Sequence, residues 1–202
     1  MTRGKRLFDI ALALILSVVL APVLLVLIAV LWLRQGLPLF YVSERMQTPD
    51  RGFGLWKLRS MRPAAANDGV SGGDKSSRIT PVGRFLRRTR LDELPQLWNI
   101  LRGDISFVGP RPPLRRYVEQ FPELYGAVLQ SRPGVTGLAT VILHGREERL
   151  LARCRTPQET EHVYVTACIP RKAQLDLLYQ RKRTFCLDLW LILRTAAKVV
   201  GR

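Results

Sequence analysis

Ile10-Ala11-Leu12-Ala13-Leu14-Ile15-Leu16-Ser17-Val18-Val19-Leu20-Ala21-Pro22-Val23-Leu24-Leu25-Val26-Leu27-Ile28-Ala29-Val30-Leu31-Trp32-Leu33 carries no charge over 24 positions. At about 1.5 Å per residue a helix of this length is enough to cross a hydrocarbon layer of about 30 Å. Two features complicate a simple crossing. Pro22 removes a backbone hydrogen bond near the middle and favours a bend at Ala21-Pro22. Basic residues flank both ends, Arg3, Lys5 and Arg6 before and Arg34 after, so charge gives no single direction. A helix that enters, bends and returns satisfies this pattern, and a kinked spanning helix remains the alternative. No small-residue cleavage site follows the run, so it is expected to be retained. Asp9, beside Arg6, reads as an interfacial ion-pair partner.

The rest of the chain is basic. Among 202 residues, 47% hydrophobic, 32 Lys and Arg stand against 16 Asp and Glu, a net charge of +16. That size allows a membrane segment plus one modest domain. The charge calls for partners rich in negative groups: anionic lipid, nucleotide phosphates or nucleic acid. Cys154, Cys168 and Cys186 are widely spaced, with no CxxC and only two histidines, which argues against a disulfide framework or zinc site. His144 and His162 are assigned no catalytic role.

Gly36 to Tyr41 reads as a connector. Gly54-Leu55-Trp56-Lys57-Leu58-Arg59-Ser60-Met61 alternates as a strand, with Lys57 and Arg59 on one face, where two cations could grip phosphate or lie on a solvated sheet face. Arg62 to Thr80, poor in apolar residues, reads as a mobile loop. Thr80-Pro81 then supplies an N-cap and a first helical proline for a short helix to about Arg88. Leu91, Leu94, Leu97, Trp98 and Leu101 recur at helical spacing, with Asp92 as the cap and Gly103 as the stop.

Asp92 and Glu93 thus stand at a helix start, wrapped by Arg84, Arg87, Arg88 and Arg90. First-turn acids alone only favour the helix dipole, by less than about 1 kcal/mol. Here the arginines and the helix N-terminus would draw phosphate to the carboxylates. A carboxylate attacking phosphorus beside a divalent cation is accessible chemistry, and neighbouring cations would keep Asp92 ionised. Downstream, Gly109-Pro110-Arg111-Pro112-Pro113 presents Arg111 from a rigid extended backbone suited to a nucleotide, and Arg132-Pro133-Gly134-Val135-Thr136-Gly137 reads as a turn into a strand. From Pro170 onward two amphipathic helices, with Leu175, Leu178, Leu187, Leu189, Trp190 and Leu193 among interleaved Lys and Arg, suit a lipid interface.

Lys5-Arg6-Leu7-Phe8-Asp9, Lys57-Leu58-Arg59-Ser60-Met61, Leu91-Asp92-Glu93-Leu94-Pro95-Gln96-Leu97-Trp98-Asn99, the run from Gly103 to Pro112, and Arg132 to Gly137 occur in the order seen in bacterial sugar transferases. The chain resembles the monotopic phosphoglycosyl transferase superfamily in its short, catalytic-domain-only form over nearly its whole length. The resemblance implies an α+β fold: a re-entrant membrane helix over residues 1–35, then a cytoplasmic catalytic domain over 36–202, mostly helical, with limited β structure and interfacial helices. It implies a place on the cytoplasmic face of the bacterial inner membrane, at the first membrane step of glycan assembly.

It further implies transfer of a phosphosugar from a nucleotide diphosphate sugar, a UDP-sugar by expectation, to polyprenyl (undecaprenyl) phosphate. Asp92 would be the nucleophile and Mg2+ the cofactor, held by Asp92 and Glu93, with Glu93 alternatively accepting a proton. Pro110, Arg111 and Pro112 would hold the nucleotide. Assigning Lys57, Arg59, Arg87 and Arg132 to phosphates extends this from charge and placement.

Two departures stand out. Ala21 occupies the place before Pro22 where relatives commonly have Ser. Ala139 to Arg146 departs from the relatives' run, which leaves the sugar-recognition region open. Expected partners are the nucleotide sugar, the polyprenyl phosphate and membrane lipids, with a homodimer left open. A non-catalytic scaffold on anionic lipid is the alternative. Nucleic acid is not expected, because no aromatic stacking platform accompanies the basic residues.

Overall fold

A single long helix, α1 (Arg3–Gln35), opens the chain in the computed structural model, which describes residues 2–63 and 72–200. Thr2 caps it by accepting a hydrogen bond from the Lys5 amide. The helix runs unbroken through Ala21 and Pro22. Its 33 residues amount to about 50 Å, more than a simple crossing needs. One stripe, including Asp9, Ala13, Leu27 and Leu31, is buried. Ala13 packs into a core with Leu55, Ile100, Ile105 and Val108, and Leu27 and Leu31 into another with Leu58 and Leu86. The opposite face is apolar yet open, with Val18 76% and Leu33 77% exposed.

Both ends of α1 are fastened to the same body. Arg6 donates to the Ile100 carbonyl at 2.6 Å and the Leu101 carbonyl at 2.8 Å, and Lys5 pairs with Asp188. At the far end Arg59 donates to the carbonyls of Gln35 (2.6 Å), Gly36 (2.7 Å) and Leu37 (3.1 Å), satisfying groups that a helix C-terminus leaves open. Asp9 is buried but forms no ion pair among the described residues, so the expected pairing with Arg6 is not made.

The expected connector ends in a strand, β1 (Phe40–Met46), which pairs antiparallel with β2 (Gly52–Leu58). The strand expected from Gly54 to Met61 therefore starts two residues earlier and stops at Leu58. Met61 instead makes an isolated bridge to Ile79. Much of the loop expected between Arg62 and Thr80 lies outside the described residues; its last part, Gly73–Arg78, is a short 3₁₀ turn. Thr80 caps α2 (Pro81–Thr89), its hydroxyl accepting from the Gly83 amide at 2.9 Å.

Arg90, in the left-handed conformation at φ 57°, turns the chain into a 3₁₀ turn at Leu91–Glu93, and α3 (Gln96–Arg102) follows. Asp92 is thus not the cap of α3; the Leu94-Pro95 break puts the acids in a turn of their own. Gly103, at φ 87°, ends α3, a conformation that costs glycine little.

Two short parallel strands, β3 (Ser106–Val108) and β4 (Gly134–Thr136), sit behind α3. Between them lie α4 (Arg115–Gln120) and α5 (Pro122–Val128); after them come α6 (Leu138–Ala152), α7 (Pro157–Val163), a π turn at Tyr164–Cys168, α8 (Ile169–Lys182) and α9 (Phe185–Val200). The fold is α+β, mostly helical with two small sheets. A third core unites β1 with α4, α5, α6 and α8 through Met46, Tyr117, Tyr125, Leu151 and Ile169. The two helices expected after Pro170 are α8 and α9. On α8, however, the buried positions are Ile169, Ala173, Asp176 and Tyr179, and Leu178 is exposed.

Candidate active site

The pair of acids is positioned by Asn99. Fully buried on α3, its amide accepts from the Trp56 amide at 3.1 Å and donates to the Gly54 carbonyl at 2.8 Å and to Asp104 at 3.0 Å. These bonds lock β2 onto α3 and bring Lys57, near the end of β2, beside the 91–93 turn. The Gly-Pro-Arg-Pro-Pro run reaches the same place by a different route. Its start continues the β3–β4 pairing: the Gly109 amide donates to Thr136 at 2.9 Å and the Gly134 amide to the Pro110 carbonyl at 2.8 Å. The two proline-bearing motifs of the sequence are zipped together. A Cβ on Gly109 would lie 2.1 Å from the Arg132 carbonyl, which is why the approach needs glycine.

Glu93 is the hub. Its Oε1 accepts from Lys57 Nζ at 2.9 Å and Arg111 Nη2 at 3.0 Å, and its Oε2 pairs with Arg90 Nη1 at 3.3 Å. Burial pushes the Glu93 carboxyl up, but Lys57, Arg111 and Arg90 outweigh it and hold the group well below the usual range. Such a carboxylate is a weak base, and both oxygens are already occupied. Here Glu93 orients Lys57 and Arg111; the expected roles as proton acceptor or metal ligand would require it to release one of these cations.

Asp92 is different. It is 7% exposed and makes no hydrogen bond among the described residues, although Lys57, Arg87 and Arg111 surround it. Burial pushes its carboxyl up from the ordinary range; Lys57 opposes this, and the charge of Glu93 adds to it. The cations favour the ionised form of Asp92, as expected, but burial first and the adjacent Glu93 charge second outweigh them, so the carboxyl stands above the ordinary range. Asp92 is left with free oxygens.

Both acids line a cavity of about 1430 Å³, together with Lys57, Arg87, Arg111 and Pro112. That volume exceeds the several hundred Å³ of most small-molecule sites. Arg87 touches Met61 Sδ at 3.5 Å. Two expected phosphate ligands are not delivered. Arg59 borders the cavity, but its guanidinium is spent on the end of α1. Arg132 does not line the cavity and lies instead near Arg6, Asp9 and Asp104. Pro110 is likewise set back, pairing with Gly134 behind Arg111.

No group of three or more His, Cys, Asp or Glu side chains that could hold a metal occurs among the described residues. Of the two acids only Asp92 has oxygens not already paired among the described residues, so it is the carboxylate that would hold a divalent cation such as Mg2+.

The sequence reading missed the α6–α8 wall of the cavity. Lys172 Nζ sits 3.0 Å from Glu147 Oε1 and 3.4 Å from the Tyr164 hydroxyl, and Asp176 lies close by. The one signal available was a carboxylate on the buried stripe of α8.

The sequence profile described as bacterial sugar transferase matches residues 1–202. The chain is 33% identical over 196 residues to the uncharacterized sugar transferase EpsL of Bacillus subtilis, covering 97% of this chain and 87% of that one. It is 33% identical over 198 residues to the UDP-glucose:undecaprenyl-phosphate glucose-1-phosphate transferase of Klebsiella pneumoniae, covering 96% of this chain but 39% of that protein. An enzyme of the same description from Caulobacter vibrioides is 37% identical over 166 residues, covering 79% of this chain and 62% of that protein. With the acids, their cations and the cavity arranged as above, the chain belongs to the bacterial sugar transferase family.

Proposed function

We propose that this protein is a phosphoglycosyl transferase that moves a sugar phosphate from a UDP-sugar to undecaprenyl phosphate, with Asp92 as nucleophile. The observation that carries the reading is the division of labour between adjacent carboxylates. Glu93 is locked by three cations, while Asp92 is buried in the cavity wall with no hydrogen-bond or ion-pair partner among the described residues. The curated relatives named as acting on UDP-sugars and undecaprenyl phosphate support the substrate class.

In this scheme an Asp92 oxygen attacks the phosphorus that bears the sugar. The bond from that phosphorus to the bridging oxygen breaks, and UMP leaves with the electron pair. A phosphosugar-aspartyl intermediate remains. An oxygen of undecaprenyl phosphate then attacks the same phosphorus and restores the carboxylate, giving undecaprenyl diphosphate sugar. Lys57, Arg87 and Arg111 hold phosphate oxygens and offset the charge that develops on them. Asp92 would be the residue to hold Mg2+, whose chemistry when bound would be to neutralise charge on the phosphate oxygens.

The acceptor is a lipid, and α1 supplies the contact. Both of its ends are tied to one body and its outer face is open and apolar, which supports a helix that stays with the catalytic domain at one membrane face; a re-entrant path bending at Ala21-Pro22, and the cytoplasmic side, complete the proposal. Mixing purified protein with UDP-glucose, UDP-galactose or UDP-N-acetylgalactosamine, undecaprenyl phosphate and Mg2+ should release UMP from at least one donor. Asp92→Asn should abolish release and covalent capture of labelled sugar phosphate. Undiminished turnover in that variant would remove Asp92 from the chemistry.

A further inference from the structure

The α6–α8 wall of the cavity contains a group that the reaction scheme does not use. Asp176 lies on the buried stripe of α8 between Ala173 and Tyr179, where helical periodicity calls for an apolar residue. It is 7% exposed, and among the described residues its carboxylate has no hydrogen bond and no ion pair. It is nonetheless not one of the sealed, partnerless side chains, and it lines the cavity. Burying an unpartnered carboxylate costs the fold free energy, so its placement against open space points to a partner outside the protein.

Its neighbours extend the feature. Lys172 bridges Glu147 and the Tyr164 hydroxyl, and its ammonium stands 5.1 Å from the centre of the Tyr164 ring. Burial, with the charge of Glu147 adding and Lys172 opposing, raises the Asp176 carboxyl to about 7, so near neutrality it can either accept or donate a hydrogen bond. The wall thus offers carboxylates, an ammonium and an aromatic face. Those are groups for hydroxyls, whereas the cations around Asp92 are groups for phosphate.

Placement decides which hydroxyls. Arg111, bonded to Glu93 and in the field of Asp92, also feels Glu147, and Lys172 feels Arg111, so the wall begins where the reacting phosphate would sit. The sugar is attached directly to that phosphorus. The ribose and base are separated from it by a second phosphate. We infer that Glu147, Lys172 and Asp176 form the subsite that recognises the hydroxyl groups of the transferred sugar and sets which sugar is accepted. This rests on the functional reading given above.

The test uses Asp176→Asn and Glu147→Gln in the full-length protein with the three UDP-sugars. Initial rates of UMP release give kcat and KM for each, and inhibition by added UMP gives the affinity for the nucleotide alone. For the preferred donor, kcat/KM should fall by about tenfold or more, as expected when a buried polar group loses its matched partner. The ranking of the three sugars should change, and the UMP inhibition constant should stay within about twofold. Asp176→Asn keeps shape and removes a buried charge, so its unfolding midpoint should hold; if Glu147→Gln misfolds, the Asp176 variant alone decides. Unchanged donor ranking would overturn the inference, as would a parallel loss of UMP affinity, which would assign the wall to the nucleotide. A wild-type protein that releases UMP from no donor would instead overturn the functional reading beneath it.

Discussion

Asp92 and Glu93 are adjacent in sequence and opposite in electrostatic circumstance. Because burial raises the Asp92 carboxyl, the ionised form needed for attack is lost at a higher pH than for an ordinary aspartate of 3.8. The acidic limb of kcat/KM for UMP release should therefore lie above that value; a limb at or below it would contradict the burial. The same shift has a stability sign. A carboxyl whose folded value is raised opposes folding fully above that folded value; the penalty shrinks as pH falls through it and is gone only below the unfolded value. Asp92→Asn should hence unfold at an unchanged or higher temperature at pH 7 while losing turnover, and calorimetry in detergent would show it. Glu93 runs the other way. Its depressed value stabilises the fold above the usual carboxylate range, and that contribution is lost only as pH falls through the lower folded value. Glu93→Gln leaves half-buried Lys57 and Arg111 without their counter-charge, and with solvent screening both cations it should cost about 1–3 kcal/mol. A midpoint within a degree or two of wild type would count against the hub.

At the level of elements, several signals were legible. Thr80-Pro81 announces α2, Gly103 ends α3, and the Arg132 to Gly137 turn leads into β4, because caps, left-handed glycines and Pro-Gly turns are local chemistry. The separate turn holding Asp92 was not legible. It depends on left-handed Arg90 and on Pro95 lying one position before α3 rather than inside it. Nor was β1, whose burial alternates imperfectly and whose partner fixes it. The pairing of the Gly109-Pro110 segment with Pro133-Gly134 carries Arg111 to the site, so Gly109→Ala is a test at this scale. The added methyl meets backbone, not a movable side chain, and should cost about 1–3 kcal/mol and lower kcat/KM even though no substrate-binding group is removed. Normal stability and turnover in that variant would show that the segment can yield.

Across the whole molecule the long helix and the catalytic body are one packed unit. α1 contributes Ala13, Leu27 and Leu31 to two cores, and its start meets α9 through an edge-to-face contact of Phe8 with Phe185 at 5.0 Å. Phe185, Trp190 and Leu193 on α9 are exposed beside it, continuing the apolar face. Single cysteines placed at Thr2 and Leu37, in a chain lacking Cys154, Cys168 and Cys186, should react with an impermeant maleimide from the same side of sealed vesicles. Labelling from opposite sides would show that α1 crosses the bilayer.

The sequence by itself determined the long apolar helix, the Asp-Glu pair wrapped in arginine, the rigid presentation of Arg111 and the family. Each of these is written in contiguous residues, where length, caps, proline and charge act locally. Only the tertiary structure decided which cations serve the site. It diverted Arg59 to the end of α1 and Arg132 toward Arg6 and Asp9, and it brought Glu147, Lys172 and Asp176 to the cavity from α6 and α8. The reason is physical: a charge is drawn to whatever partner the packed chain places within a few ångströms, and that distance is set by contacts between residues far apart in sequence.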